Sequence, residues 1–165
     1  MIQRSTTSAR LTRLLLEVLG LLAMTQAAVA QPVSGYVGAG PGIYTNEVAS
    51  GGLMHVAGGV DVAPSHFVSV GSDIGLLLGA GDAAAPIAFS ASAHIPTSGH
   101  FDPYVRGGYT RVVFLSEGGG ANAAHVGGGF TYWFSPNRAW SVEVRAVRPR
   151  FASRYWVARL GIAFR

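Results

Sequence analysis

The chain has 165 residues, 12% of them charged, and a formal net charge of +4; ordinary soluble domains carry roughly 25% charged residues, so there is too little charge to coat a water-exposed surface. The length allows one domain. Mean hydropathy is only +0.33, and past residue 30 no run approaches the ~20 apolar residues of a membrane-spanning helix, while the lack of cysteine excludes a disulfide framework or thiolate metal centre.

Residues 1–30 read as a cleaved signal peptide. Arg4, Arg10 and Arg13 form a positive region, Leu14 to Met24 an apolar run containing an atypical Glu17, and Ala28-Val29-Ala30 a small-residue cleavage site before Gln31. Their removal leaves nine arginines and seven acids, formally +2. Those arginines are scattered singly, with no basic stripe of the kind nucleic-acid binding needs.

From residue 33 the dominant period is two, the strand period, interrupted by turn residues at short intervals. It predicts eight strands at about 33–40, 53–63, 66–78, 86–95, 103–114, 123–134, 140–148 and 155–164. Most approach the 9 to 11 residues a tilted strand needs to cross a bilayer, and the count is even, as in bacterial barrels. Connections at 64–65, 96–102 and 135–139 are short or proline-marked; those at 41–52, 79–85, 115–122 and 149–154 are richer in Gly, Ala and polar residues. With the N-terminus in the periplasm, the first set are periplasmic turns and the second extracellular loops.

Within each strand the two faces differ. Strand 53–63 sets Met54, Val56, Val60 and Val62 against His55, Gly59 and Asp61; strand 66–78 sets Val68, Val70, Ile74, Leu76 and Leu78 against Ser69, Gly71, Asp73 and Gly75. Strand 86–95 sets Ile87, Phe89 and Ile95 against Ser90, Ser92 and His94. Strand 140–148 sets Trp140, Val142, Val144 and Ala146 against Ser141, Glu143, Arg145 and Val147, and strand 155–164 sets Trp156, Leu160, Ile162 and Phe164 against Tyr155, Val157, Arg159 and Gly161. The second face is small residues with isolated charges, poor for facing water but suited to filling a lumen. Apolar side chains therefore face lipid, and the fold class is an all-β, eight-stranded antiparallel up-and-down transmembrane β-barrel, closed because every backbone amide in hydrocarbon must be paired.

Asp61, Asp73, Arg106, Glu143, Arg145 and Arg159 all take the inward parity, and all but Asp73 lie near one height. With the last loop centred near residue 151, Glu143 faces Arg159. Three acids and three arginines at this depth predict a compensated ion-pair network plugging the lumen; the alternative is a charged constriction in a narrow channel for ions or small solutes. Tyr132, Phe134, Trp140 and Phe164 fall on the outward parity beside the proposed periplasmic end, as an aromatic girdle requires, with Tyr109 and Trp156 toward the opposite rim. Arg111 is outward and snorkels to headgroups near the extracellular rim.

No metal or cofactor site is expected: His55 and His125 share the inward parity, but no carboxylate stands at ligand spacing on a neighbouring strand. Catalysis is not expected either. A lipid hydrolase on the rim would need Ser and His together on the outward face, whereas Ser92 and His94 point inward. The glycine runs at 38–42 and 117–120 lack the following helix of a phosphate cradle.

The segments FDPYVRGGYTRVVF, AHVGGGFTYWFSPNRAWSVEVRAV and WVARLGIAFR resemble small eight-stranded outer-membrane β-barrel proteins of the OmpA-type transmembrane domain, within the broad outer-membrane protein β-barrel domain family. The resemblance spans residues 33–165, more convincingly in the second half, and implies outer-membrane localisation and assembly through the C-terminal strand by the barrel-assembly machinery. Such barrels usually end on an aromatic residue, whereas here Arg165 follows Phe164. The expected protein is a monomer in outer-membrane lipid with a structural or surface-interaction role. A soluble secreted barrel that binds an apolar ligand is the remaining alternative.

Overall fold

The computed structural model describes residues 32–45, 50–79, 82–116, 118–149 and 154–165. The signal peptide assigned to residues 1–30 lies outside the described residues. Eight strands follow in order: β1 (Val33–Thr45), β2 (Ser50–Ser65), β3 (Val68–Gly79), β4 (Asp82–His94), β5 (Phe101–Phe114), β6 (Gly120–Ser135), β7 (Arg138–Pro149) and β8 (Arg154–Phe164). Each pairs antiparallel with its successor, and β8 pairs with β1 to close the barrel. Closure removes the two free edges that an open sheet would present.

The two ends of the barrel differ. The turn end carries both ends of the described chain and the β2–β3, β4–β5 and β6–β7 connections; the loop end carries the other four. At the turn end the β2–β3 reversal is His66-Phe67, where the Phe67 amide donates to Ser65 Oγ at 3.3 Å. The sequence pattern placed it two residues earlier, at Pro64-Ser65. A register shift between Val62 and Ser65 accounts for the difference, since the extra residue hides the end of the alternation. A second shift, between Trp133 and Ser135, precedes the Pro136-Asn137 turn.

At the loop end the strands run further than their patterning indicates. Much of 41–52 belongs to β1 and β2, and nearly all of 79–85 to β3 and β4. Pro41-Gly42 and Ala83-Ala84-Ala85 carry no apolar alternation, so nothing in their composition marks them as strand. The prolines are accommodated by local gaps in one ladder each. The β1–β8 register runs from Ala39↔Leu160 to Gly42↔Val157 without pairs at Gly40 and Pro41. The β3–β4 register likewise passes from Ile74↔Ile87 to Leu77↔Ala84 without a pair at Pro86. A residue without an N–H forfeits one rung and keeps its other neighbour.

The apolar parity faces outward throughout. Val37, Val56, Val70, Phe89, Val105, Val126, Val144 and Leu160 are all exposed, whereas the buried set includes His55, Asp73, Arg106, Glu143, Arg145 and Arg159. This inverts the arrangement of a soluble barrel and matches one solvated by lipid.

Glycines on the inner face allow neighbouring strands and long side chains to share a narrow tube. A Cβ at Gly129 would run into the Val142 carbonyl oxygen and lie 2.9 Å from Glu143 Cα, whereas one at outward-facing Gly107 would meet nothing nearer than the His125 carbonyl at 3.7 Å. Gly129→Ala is therefore expected to cost about 1 to 3 kcal/mol by overpacking, and Gly107→Ala close to nothing. Urea unfolding of the two variants in lipid vesicles checks the difference.

Candidate functional site: the lumen

The lumen has three levels. Nearest the loop end is an apolar cluster of Leu77, Val112, Ala123, Val147, Tyr155 and Val157, against which Tyr44, Leu53 and Ala84 pack. Each of these residues has the inward parity and stands within the last few paired residues before a loop, where an eight-stranded bore is just wide enough for side chains.

The middle level is charged. Glu143, on β7, is the hub: its Oε1 accepts from Arg145 Nε and from Arg159 Nη2, both at 2.7 Å, and its Oε2 accepts from the Tyr104 hydroxyl at 3.0 Å and Arg106 Nη1 at 3.4 Å. The strand register brings Glu143 opposite Arg159. Arg145 reaches past Glu143 to hold Asp73 with two bonds, Nη1 to Oδ1 at 3.2 Å and Nη2 to Oδ2 at 2.8 Å. Asp73 thus joins the cluster from a position nearer the loops, with Arg159 Nη1 3.9 Å from its Oδ1. Arg106 Nη2 donates to Asp61 Oδ2 at 2.7 Å and Arg106 Nε to Ser92 Oγ at 3.0 Å.

Two tyrosines complete this level. The Tyr36 hydroxyl donates to Asp73 Oδ2 at 3.0 Å and accepts from Arg106 Nη1 at 3.2 Å. The guanidinium groups of Arg106 and Arg159 each lie 5.7 Å from the Tyr36 ring centre, and Arg106 lies 5.2 Å from that of Tyr104. Three guanidiniums and three carboxylates sum to no net charge. The glycine wall at Gly59, Gly71, Gly127 and Gly129 gives these long side chains their room. Asp61 Oδ1 is the one carboxylate oxygen of the cluster buried without a hydrogen-bond partner among the described residues; the pairing of the other groups is what offsets the cost of placing six charges in a narrow lumen.

At the turn end the lumen opens into a cavity of about 680 Å³ lined by Ser34, His66, His100, Arg165 and the lower members of the charged cluster. On its wall the Ser69 Oγ lies 3.0 Å from His94 Nε2, and His94 Nδ1 lies 2.8 Å from Asp102 Oδ1. The order of these bonds is that of a serine-hydrolase triad, but Ser69 is only 1% exposed and takes the lumen-facing parity, not the lipid-facing one. The chain instead ties the ends of β3, β4 and β5 together. His125 is bonded similarly, with Ser90 Oγ 3.0 Å from Nε2 and Thr110 Oγ1 2.8 Å from Nδ1. His55 is buried with neither ring nitrogen bonded to protein.

Tyr132, Phe134, Trp140 and Phe164 are all exposed on the outer face near the turn end. Tyr132 and Trp140 are register partners, and the Phe134 and Trp140 ring centres are 5.9 Å apart. Arg165, which follows Phe164, turns to the mouth, where its guanidinium lies 3.8 Å from the Trp133 ring centre.

No family model and no curated protein matches the sequence. Solved structures do match. Neisserial surface protein A superposes with a TM-score of 0.69 at 13% identity, over 80% of this chain and 96% of that one. The N-terminal β-barrel domain of Pseudomonas aeruginosa OprF gives 0.61 at 19%, over 79% and 96% respectively. The fold is that of the small outer-membrane barrels. A de novo designed transmembrane β-barrel falls in the same range, 0.57 at 19% identity over 83% and 97%. Likeness at this level speaks to architecture and not to activity.

Inward parity singled out the six charged residues, but not what lies around them. Tyr36 and Tyr104 carry the same parity, and their hydroxyls were a legible signal for partners of buried charge. The apolar cluster was legible too, had the inward faces been read by height: Leu77, Val112, Val147 and Val157 all stand one to three residues from a loop. The Ser69–His94–Asp102 chain was not legible, because it joins three strands across a six-residue connection.

Proposed function

We propose that the protein is a non-conducting, non-catalytic outer-membrane barrel with a structural or surface-interaction role. Its leader is removed on export, the turn end faces the periplasm, and the monomer is inserted through the C-terminal strand by the barrel-assembly machinery. The observation that carries the reading is the charge-balanced cluster of Asp61, Asp73, Arg106, Glu143, Arg145 and Arg159 across the bore, backed by the apolar cluster at the loop end. An ion entering the turn-end cavity meets guanidiniums and carboxylates already committed to one another, and beyond them a dry apolar seal. Passage would require both to open.

The loops between described strands are short, so surface interaction falls to the strand ends and the outer wall. The test is conductance of the purified barrel in a planar bilayer. No steady current is expected from the wild type; a reproducible unitary conductance would replace the plug with the narrow-channel reading. Fractionation supplies the second check: the protein is expected in the outer membrane, with an electrophoretic mobility that changes on boiling. A soluble periplasmic protein would overturn the membrane assignment.

A further inference from the structure

The outer wall at the loop end is not uniform. Arg111 on β5, Arg148 on β7 and Arg154 on β8 are all exposed and all take the outward parity. Arg148 follows Val147, and its partner Tyr155 follows Arg154, so Arg148 and Arg154 stand at facing positions on adjacent strands. Arg111 extends across β6, where its Nη1 donates to Asn122 Oδ1 at 2.8 Å. The rows Tyr109↔Ala124 and Ala124↔Arg148 place Arg148 two strands from Tyr109 and Arg111 two residues further along β5. With strands about 4.8 Å apart and a rise of about 3.4 Å per residue, the Cα of Arg148 lies about 5 Å from that of Arg154 and roughly 12 Å from that of Arg111, and Arg111 and Arg154, three strands apart, are separated by about 16 Å.

The rest of the rim is different. The outward loop-end positions described on β1–β4 include Ile43, Met54, Leu76 and Leu78, all apolar and exposed. At the turn end, Arg138 is the single exposed arginine on an outward strand position among the described residues. None of the three loop-end arginines has a carboxylate partner among the described residues. Just below them toward the bilayer centre stand exposed Tyr109 and Trp156, residue types that settle at the headgroup level of a membrane. The cationic groups are therefore held at the depth where lipid headgroups begin, and they point away from the lumen.

We propose that Arg111, Arg148 and Arg154 form a binding site for the phosphate groups of a phosphorylated outer-leaflet glycolipid. Guanidinium is suited to phosphate because its planar fork can present two parallel N–H donors to two oxygens. The aliphatic stems lie along the apolar wall while the heads reach the headgroup layer. Arg148 and Arg154, facing each other, clamp one phosphate; Arg111, across β6 and braced by Asn122, takes a second. The acyl chains of the same lipid then lie on Val126, Val144 and Leu160, which are exposed on the wall below. The site rests on the proposed outer-membrane orientation, with the loop end outside.

The test uses the folded full-length mature barrel in neutral detergent micelles, titrated with a synthetic bisphosphorylated disaccharide lipid and monitored by native mass spectrometry. Binding of one lipid per barrel is expected, with the dephosphorylated lipid and inorganic pyrophosphate binding far more weakly. Each arginine at an anionic lipid surface contributes about fivefold, so the triple variant Arg111→Gln, Arg148→Gln, Arg154→Gln should lose about a hundredfold. Arg138→Gln should lose nothing, and the boiling-dependent mobility of all variants shows that they remain folded. Equal binding of the dephosphorylated lipid, or an unchanged triple variant, would overturn the site. Pyrophosphate binding as tight as the lipid would overturn the lipid as occupant. Protease cleavage of the loop end on intact cells checks orientation separately: loops protected from external protease would overturn the outward placement while leaving the micelle result standing.

Discussion

Replacing Glu143 with alanine should destabilise the barrel by about 3 to 5 kcal/mol, the range for breaking a buried ion pair by removing one partner. The size follows from how many groups depend on this one carboxylate. Arg145 Nε, Arg159 Nη2, Arg106 Nη1 and the Tyr104 hydroxyl all donate to it. Without it the one carboxylate left to Arg159 among the described residues is Asp73, at 3.9 Å, and the six-residue cluster carries an uncompensated positive charge. Urea unfolding in lipid vesicles measures the loss. Adding Arg159→Ala to Glu143→Ala should cost little more, because the second substitution removes a charge whose partner has already gone. A coupling energy of about 0.5 to 3 kcal/mol is expected from the double-mutant cycle. Fully additive effects would mean that the two residues do not share an interaction.

The same cluster shows what single-residue patterning can and cannot carry. A two-residue period fixes the face of every side chain, so the lipid-facing and lumen-facing sets follow from the first confident strand outward. Register across β7 and β8 followed from the position of one short loop, which is why Glu143 and Arg159 could be paired without coordinates. Depth is harder. Asp73 stood apart by counting residues along β3, yet the length of Arg145 closes the gap. Patterning also failed where composition was neutral: Pro41 marked a loop by its chemistry and Pro86 the start of a strand, but a barrel strand has two neighbours and tolerates the loss of one rung. Interactions that cross the lumen, such as Tyr36 with Asp73 or Tyr104 with Glu143, join strands far apart in sequence; inward parity marks each tyrosine as a partner for buried charge, but no local signal reports which carboxylate it meets.

Arginine in place of Val144 is expected to cost about 2 to 4 kcal/mol, and arginine in place of Ile43 about 0 to 1 kcal/mol, as for the bilayer midplane and its interface respectively. The comparison is informative because the two positions look alike to water: Val144 is 47% exposed and Ile43 56%. On a soluble protein both would be ordinary surface substitutions, within about 0.5 kcal/mol of neutral. They differ only in depth along the barrel. Val144 lies mid-strand between Gly128 and Ala158, and Ile43 pairs with Trp156 two residues from the loop end. At Val144 the guanidinium must be drawn through hydrocarbon to reach either headgroup layer, whereas at Ile43 a short extension of the side chain suffices. Unfolding free energies in vesicles that rank Val144→Arg well below Ile43→Arg would place lipid against the apolar wall. Two equal, near-zero costs would place water there, and the charged lumen would then have to be explained as the core of a soluble barrel.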